Sequence, residues 1–132
     1  MEANHYNIDA LEELARELGF VPSRESPDEL SVAIGDVVLS FQNLRDQEGT
    51  VAGFERGAIA HWHGNLLLMV ADDKYIELDE FDVLRGIKSG EVLVQERYAN
   101  AELADRWLVH REGKQDFRFM GCGEEERVRR LC

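Results

Sequence analysis

Apolar residues recur at spacings of three and four near the start of the chain, a pattern that predicts an amphipathic helix. The residues that share its apolar face are Ile8, Leu11, Leu14, Ala15 and Leu18. Asn7 precedes the pattern as a capping residue, and Gly19 follows it where a left-handed C-terminal cap is expected. Pro22 and Pro27 then predict a polar link that is not helical.

Shorter runs of alternating or continuous apolar residues predict β-strands along the rest of the chain. The predicted strands are Ser31–Ile34, Val37–Phe41, Ala58–His63, Leu66–Ala71, Tyr75–Leu78, Glu91–Tyr98, Arg106–Arg111 and Phe117–Met120. Leu66–Ala71 is apolar at every position, which is typical of a central strand that is covered on both faces. Gly35-Asp36, Gly64-Asn65 and Asp72-Asp73-Lys74 are the predicted turns between strands.

Two further helices follow from the charge pattern and the capping residues. Asp79 is a good cap for a helix that Gly90 ends, and Glu124–Leu131 places its acids before its bases, as a short helix prefers. Short loops favour antiparallel neighbours among the strands. The sequence therefore predicts a single α+β domain over residues 1–132. Its one antiparallel sheet has about six or seven strands, with an N-terminal helix, a middle helix and a short C-terminal helix.

Composition changes this picture through charge, because 27 acidic residues against 15 basic ones give a net charge of −12. A body this acidic attracts cationic partners and repels nucleic acid and anionic lipid. We therefore expect another protein with a basic surface as the partner, and neither nucleic acid nor a membrane. Met1–His5 has no basic start or apolar run, and Cys122 and Cys132 suggest reduced thiols, so we expect a cytoplasmic protein.

The acidic residues cluster most densely between positions 72 and 82, where six carboxylates stand against one lysine. Tyr75, Ile76 and Phe81 add the aromatic and aliphatic area that the centre of a protein interface needs. The candidate partner-binding residues in this segment are Asp72, Asp73, Tyr75, Glu77, Asp79, Glu80 and Asp82. The alternative is that these charges only solvate a hairpin and the start of a helix.

Histidine and cysteine residues are the candidates for chemistry. On a strand, His61 and His63 share one side, and with His110 or a carboxylate they would form a zinc site. No second pair of ligands has metal spacing, so we expect no metal or other cofactor and assign His61 and His63 to the partner-binding surface. Cys122 with one of the histidines is the alternative of a small enzyme. No catalytic motif accompanies it, so the sequence predicts a protein that is not an enzyme.

Two stretches resemble known families. Residues 60–68 (Ala-His-Trp-His-Gly-Asn-Leu-Leu-Leu), with residues 84–96 (Leu-Arg-Gly-Ile-Lys-Ser-Gly-Glu-Val-Leu-Val-Gln-Glu), are similar to a pattern in small bacterial immunity proteins of polymorphic toxin systems. The resemblance covers about residues 58–110. It implies a cytosolic protein that neutralises a partner toxin by occluding its active site. A nuclease toxin, with its basic substrate groove, would suit the acidic surplus.

The second resemblance covers the first 45 residues. The run Leu11-Glu-Glu-Leu-Ala-Arg-Glu-Leu-Gly and the strand pair after it are similar to the opening of acidic type III secretion chaperones. That resemblance implies a homodimer that holds an effector in extended form. The His-Trp-His region and the number of predicted strands depart from the chaperone pattern. Both resemblances imply a small acidic protein that binds another protein.

Overall fold

The computed structural model describes residues 5–44, 49–55, 60–113 and 122–132. Within these residues the chain forms two α-helices, α1 (Ile8–Glu17) and α2 (Glu80–Ser89), and ten β-strands. In chain order the strands are β1 (Val21–Ser26), β2 (Glu29–Ile34), β3 (Val37–Leu44), β4 (Gly49–Phe54), β5 (His61–Trp62), β6 (Leu66–Ala71), β7 (Lys74–Leu78), β8 (Val92–Ala99), β9 (Glu102–His110) and β10 (Glu124–Arg129). Neither described helix is long and apolar enough to cross a membrane.

The strands form three antiparallel sheets, with the orders β1-β2-β3-β4-β5, β10-β8-β9 and β6-β7. The prediction of an α+β fold with antiparallel strands is confirmed, but the prediction of one sheet with six or seven strands is wrong. The first sheet ends because β5 pairs with β4 at only two positions. Gly64 then adopts a left-handed φ of 64° and turns the chain, so that β6 begins a separate hairpin with β7.

The predicted caps of both helices are confirmed. The Asn7 side chain accepts a hydrogen bond from the backbone N–H of Ala10 at the start of α1, and Gly19 after the helix has a φ of 84°. Asp79 caps α2, and Gly90 ends it in the left-handed conformation. The apolar stripe of α1 is buried against β1 and β2, while α2 packs on β8. These helix positions follow from local sequence alone.

The predicted C-terminal helix over Glu124–Leu131 is wrong, because residues Glu124–Arg129 form the strand β10. An isolated helix of eight residues is marginal, and its acid-to-base pairs add only a few tenths of a kcal/mol each. The same residues pair along β8, from Glu124 opposite Ala99 to Arg129 opposite Val94. A full ladder of backbone hydrogen bonds outweighs this weak helical preference.

Two other predictions need correction in the first part of the chain. The residues predicted as a polar link form β1, which pairs with β2 at the edge of the first sheet. Pro22 is tolerated there because an edge strand does not need every N–H for pairing. The predicted strand Ala58–His63 is described only as β5, since residues 58 and 59 lie outside the described residues. The predicted strand Phe117–Met120 also lies outside them.

Leu66–Ala71 was expected to be a central strand covered on both faces, and this prediction is wrong. It forms β6, one strand of a two-stranded hairpin. Leu66 and Leu68 are buried, whereas Leu67 is 61% exposed. A continuous apolar run does not reveal that its alternate residues face solvent.

A buried carboxylate is at the centre of a charge network that connects two of the three sheets. Glu96 on β8 is 1% exposed and lies 2.7 Å from the guanidinium groups of both Arg106 and Arg129. Arg129 also pairs at 3.0 Å with Asp36, in the turn between β2 and β3 of the first sheet. The guanidinium of Arg106 lies 5.7 Å from the ring centre of Phe54 on β4. The two arginines therefore connect the sheet of β8 to the sheet of β4.

These contacts also set the protonation of the carboxylates. Burial disfavours the charged form of Glu96, but hydrogen bonds from Arg129 and Arg106 outweigh it and lower the pKa below its ordinary value. The hydrogen bond from Arg129 likewise lowers the pKa of Asp36. Both groups are therefore ionised at neutral pH.

Replacing Glu96 with glutamine should strongly destabilise the fold. The E96Q variant leaves the guanidinium of Arg106 without its carboxylate and Arg129 with Asp36 alone. Breaking a buried ion pair in this way costs roughly 3 kcal/mol. Urea unfolding at pH 7 measures the change in the free energy of unfolding. The matched control is E125Q, which removes an exposed carboxylate paired with Arg127 on β10 and should change stability little. Equal effects of the two substitutions would contradict this account.

The pH dependence of stability should follow the lowered pKa values of Glu96 and Asp36. Because their pKa values are lower in the folded state, the stabilisation is complete above the ordinary value of 4.5 for Glu96. It is lost as the pH falls below that value toward the folded-state pKa. Urea unfolding of the wild type and E96Q between about pH 6 and about pH 3 should show their difference shrinking with acidification. A constant difference would show that Glu96 does not titrate as proposed.

Candidate functional site

The outward side of the β6–β7 hairpin carries exposed apolar side chains at and just before the predicted acidic segment. Leu67 lies opposite Glu77 and Met69 opposite Tyr75, and directly opposed residues of antiparallel strands share a face. Leu67 is 61% and Tyr75 59% exposed, and Met69 is half-buried. We call these four residues the hairpin face.

The opposite side of the same hairpin explains why this face points outward. Leu66 and Leu68 are buried, and Ile76 and Leu78 pack against the core. Side chains alternate along a strand, so burying these four residues turns their neighbours toward solvent. In the described part of the chain, Val21 is the other large hydrophobic residue with comparable exposure, and it lies on β1.

Carboxylates lie on the hairpin face and in the turn next to it. Asp72 and Asp73 are exposed in the turn between β6 and β7, where Asp73 has a φ of 58°. Glu77 is exposed and accepts a hydrogen bond of 2.7 Å from the side-chain amide of Asn65. Because an amide is neutral, it leaves the negative charge of Glu77 uncompensated. Lys74 contributes the opposing charge in this turn.

The remaining predicted acidic residues hold the start of α2. Asp79 accepts a hydrogen bond of 2.8 Å from the backbone N–H of Asp82, and the Asp82 carboxylate accepts one from the Asp79 N–H. Glu80 accepts a hydrogen bond of 3.0 Å from the backbone N–H of Asn7 and so joins the starts of both helices. All three are half-buried. The structure thus divides the acidic segment into an exposed half and a half engaged in helix capping.

His61 and His63 lie together, with their ring centres 5.2 Å apart. The Nδ1 atom of His63 is 2.5 Å from the carbonyl oxygen of Thr50, so that nitrogen carries the proton and donates. Trp62 turns the other way and packs edge-on against Phe41. In the parts of the chain that the structure describes, no group of three or more His, Cys, Asp or Glu residues is placed to hold a metal ion. The geometry therefore gives no support to a zinc site here.

A small apolar groove extends the hairpin face toward β9. Its volume is about 110 Å³. Its walls include His61, Trp62, Leu66, Leu67, Trp107 and Leu108. Leu67 belongs to both the groove and the hairpin face, so the two surfaces are continuous. Of the two histidines assigned to the partner-binding surface, His61 lines this groove.

Cys122 and His110 lie at opposite ends of the sheet β10-β8-β9. The carbonyl of Gly123, next to Cys122, accepts a hydrogen bond from the backbone N–H of Asn100 in the β8–β9 turn. His110 pairs with Val92 at the other end of β8. At about 3.3 Å per residue, the length of β8 separates the two ends by roughly 20 Å. Cys122 and His110 therefore do not form a nucleophile–base pair.

Sequence reasoning missed Leu67 and the groove that Trp107 shares with it. Leu67 belongs to Leu66–Ala71, which the sequence predicts to be a central strand covered on both faces, and Trp107 belongs to the predicted strand Arg106–Arg111. The available signal was the short Asp72-Asp73-Lys74 turn, because it fixes the register that sets Leu67 opposite Glu77. A leucine opposite a glutamate on a hairpin indicates a face that is not fully buried.

Comparisons with known proteins leave the function to be argued from this surface. No protein-family model, no curated protein and no solved structure matches the chain. The resemblances to immunity proteins and to secretion chaperones therefore stay predictions.

Proposed function

We propose that this protein is a non-enzymatic binding protein that covers a basic surface of another protein. In its most specific form, it is a cytoplasmic immunity or inhibitor protein that neutralises a cationic toxin, such as a nuclease. The observation that carries the proposal is that Leu67 and Tyr75 lie on one exposed face, which also carries Glu77 and adjoins the turn that contains Asp73.

The composition of this face suits an interface. Tyrosine and leucine side chains supply apolar area at the centre, and a partner that covers them removes that area from water. The carboxylates at the edge steer a cationic partner into position and repel an anionic one. The net charge of −12 extends the same preference over the whole molecule. Apolar contact would therefore supply affinity, while charge would supply the choice of partner and the rate of association.

The placement of the reactive side chains favours binding over catalysis. Cys122 and His110 are held at opposite ends of a sheet, and His63 uses Nδ1 in a backbone hydrogen bond. Cys122 and Cys132 are both free cysteines, which fits the reducing conditions of the cytoplasm.

The double variant L67Q/Y75Q should bind the partner about 10- to 100-fold more weakly, because each substitution removes a central apolar contact. The partner to use is the product of the neighbouring gene, co-expressed and purified with this protein, and calorimetry measures the dissociation constant. The control V21Q removes a similarly exposed apolar side chain on β1 and should leave affinity unchanged.

Charge should act separately from the apolar contact. Exchanging Glu77 for lysine should slow association and flatten its dependence on salt, with a smaller effect on dissociation.

A neighbour without toxic activity, the lack of a complex at micromolar concentration, or equal losses for V21Q and L67Q/Y75Q would contradict the proposal.

A further inference from the structure

We propose that the partner contributes an extended, basic segment that adds to the β6–β7 hairpin as a third strand, along the free edge of β7. This inference rests on the proposed function and specifies how the partner is held. It concerns the backbone of β7 as well as the side chains of the hairpin face.

One edge of β7 has no partner strand among the described residues. Residues Lys74–Leu78 pair with β6 on one side, and no strand within residues 5–44, 49–55, 60–113 and 122–132 pairs with the other side. At such an edge, every second residue directs its N–H and C=O groups away from the neighbouring strand. These groups form a ready template for another extended chain, which would gain backbone hydrogen bonds along its length.

A cleft lies on the inner side of this edge, opposite the hairpin face. Its volume is about 260 Å³, and it separates the hairpin from α2 and from the start of β8. Ile76 and Leu78 from β7 and Val92 from β8 form its apolar part. We call it the β7 cleft.

Charged side chains also line the β7 cleft. Asp82 and Glu91 contribute carboxylates, and Arg85 contributes one guanidinium group. An apolar side chain with a cationic end, such as lysine or arginine, matches this combination because its stem can lie on the apolar wall while its head reaches a carboxylate.

The hairpin face and the β7 cleft would contact alternate side chains of the added strand. Successive residues of a strand point to opposite faces, so one set would lie over Tyr75 and Glu77 and the other would enter the β7 cleft. Backbone pairing would supply affinity for any extended segment. The hairpin face and the cleft would select a segment that combines basic and aliphatic residues.

Charge decides against a second copy of this chain as the occupant. Residues 72–79 hold four carboxylates and one lysine. Two such strands placed edge to edge would bring like charges together, which disfavours pairing. The same carboxylates attract a cationic segment. The acidic residues would therefore protect the edge from self-association while leaving it open to the partner.

The test uses a synthetic peptide, Lys-Val-Lys-Val-Lys-Val-Lys with blocked ends, titrated into the full chain and followed by amide NMR. The first control peptide is N-methylated at two adjacent central residues, which removes a donor from each edge and keeps the charge. The second control replaces lysine with glutamate. The unmodified peptide should bind about tenfold or more tightly than either control. It should also slow the hydrogen exchange of outward amides in Lys74–Leu78.

A matched pair of variants checks the location. E77K and E13K change the net charge equally, and Glu13 lies exposed on α1, away from the hairpin. E77K should weaken binding of the lysine peptide severalfold. E13K should weaken it much less, through the change in net charge alone.

The outcomes separate this inference from the proposed function. Equal binding of the N-methylated peptide would overturn strand addition, while charge-dependent docking on the hairpin face would remain. Equal binding of the glutamate peptide would overturn the choice of a basic occupant. Binding by none of the peptides, or a stable dimer joined through β7, would also overturn the inference. A partner complex that L67Q/Y75Q does not weaken would instead count against the proposed function.

Discussion

The β6–β7 hairpin buries only one of its faces, and the character of the surface described above follows from this. Leu66 and Leu68 are committed to the core, so the alternation of the strand sends Leu67 outward although it belongs to the same apolar run. In a central strand of a larger sheet, packing on both faces would have covered it. The separation of β6 and β7 from the other two sheets is therefore what leaves Leu67 and Tyr75 exposed together.

The other two sheets are joined to each other by a charge network. Glu96 lies between Arg106 and Arg129, and Arg129 continues to Asp36 in the first sheet. A charge network can hold two sheets together without a continuous ladder of backbone hydrogen bonds, because each guanidinium has several donors in fixed directions. Arg106 is also the neighbour of Trp107, and both line the groove beside Leu67. The contact that joins the sheets thus also positions one wall of the candidate surface.

Local signals made part of this structure predictable. Asn7, Asp79 and Gly90 act within one helical turn, and a turn needs no information about distant residues. β10 was not predictable in this way, because its formation depends on β8 some thirty residues earlier and on the buried Glu96. The split into three sheets was hidden for the same reason. The acidic candidate residues were identifiable from composition, but their division into exposed and helix-capping groups requires knowing where α2 begins.

The acidic segment shows how one stretch of sequence can serve both folding and recognition. Asp79 and Asp82 satisfy backbone N–H groups at the start of α2, where negative charge is favourable. Seven residues earlier, Asp72 and Asp73 stand in an exposed turn. Their charge borders a strand edge that would otherwise invite pairing between copies of the chain. Selection for solubility alone would be met by carboxylates anywhere on the surface. Their position beside an apolar face, and beside a strand edge that no described strand pairs with, is what supports the proposal of a cationic partner chain.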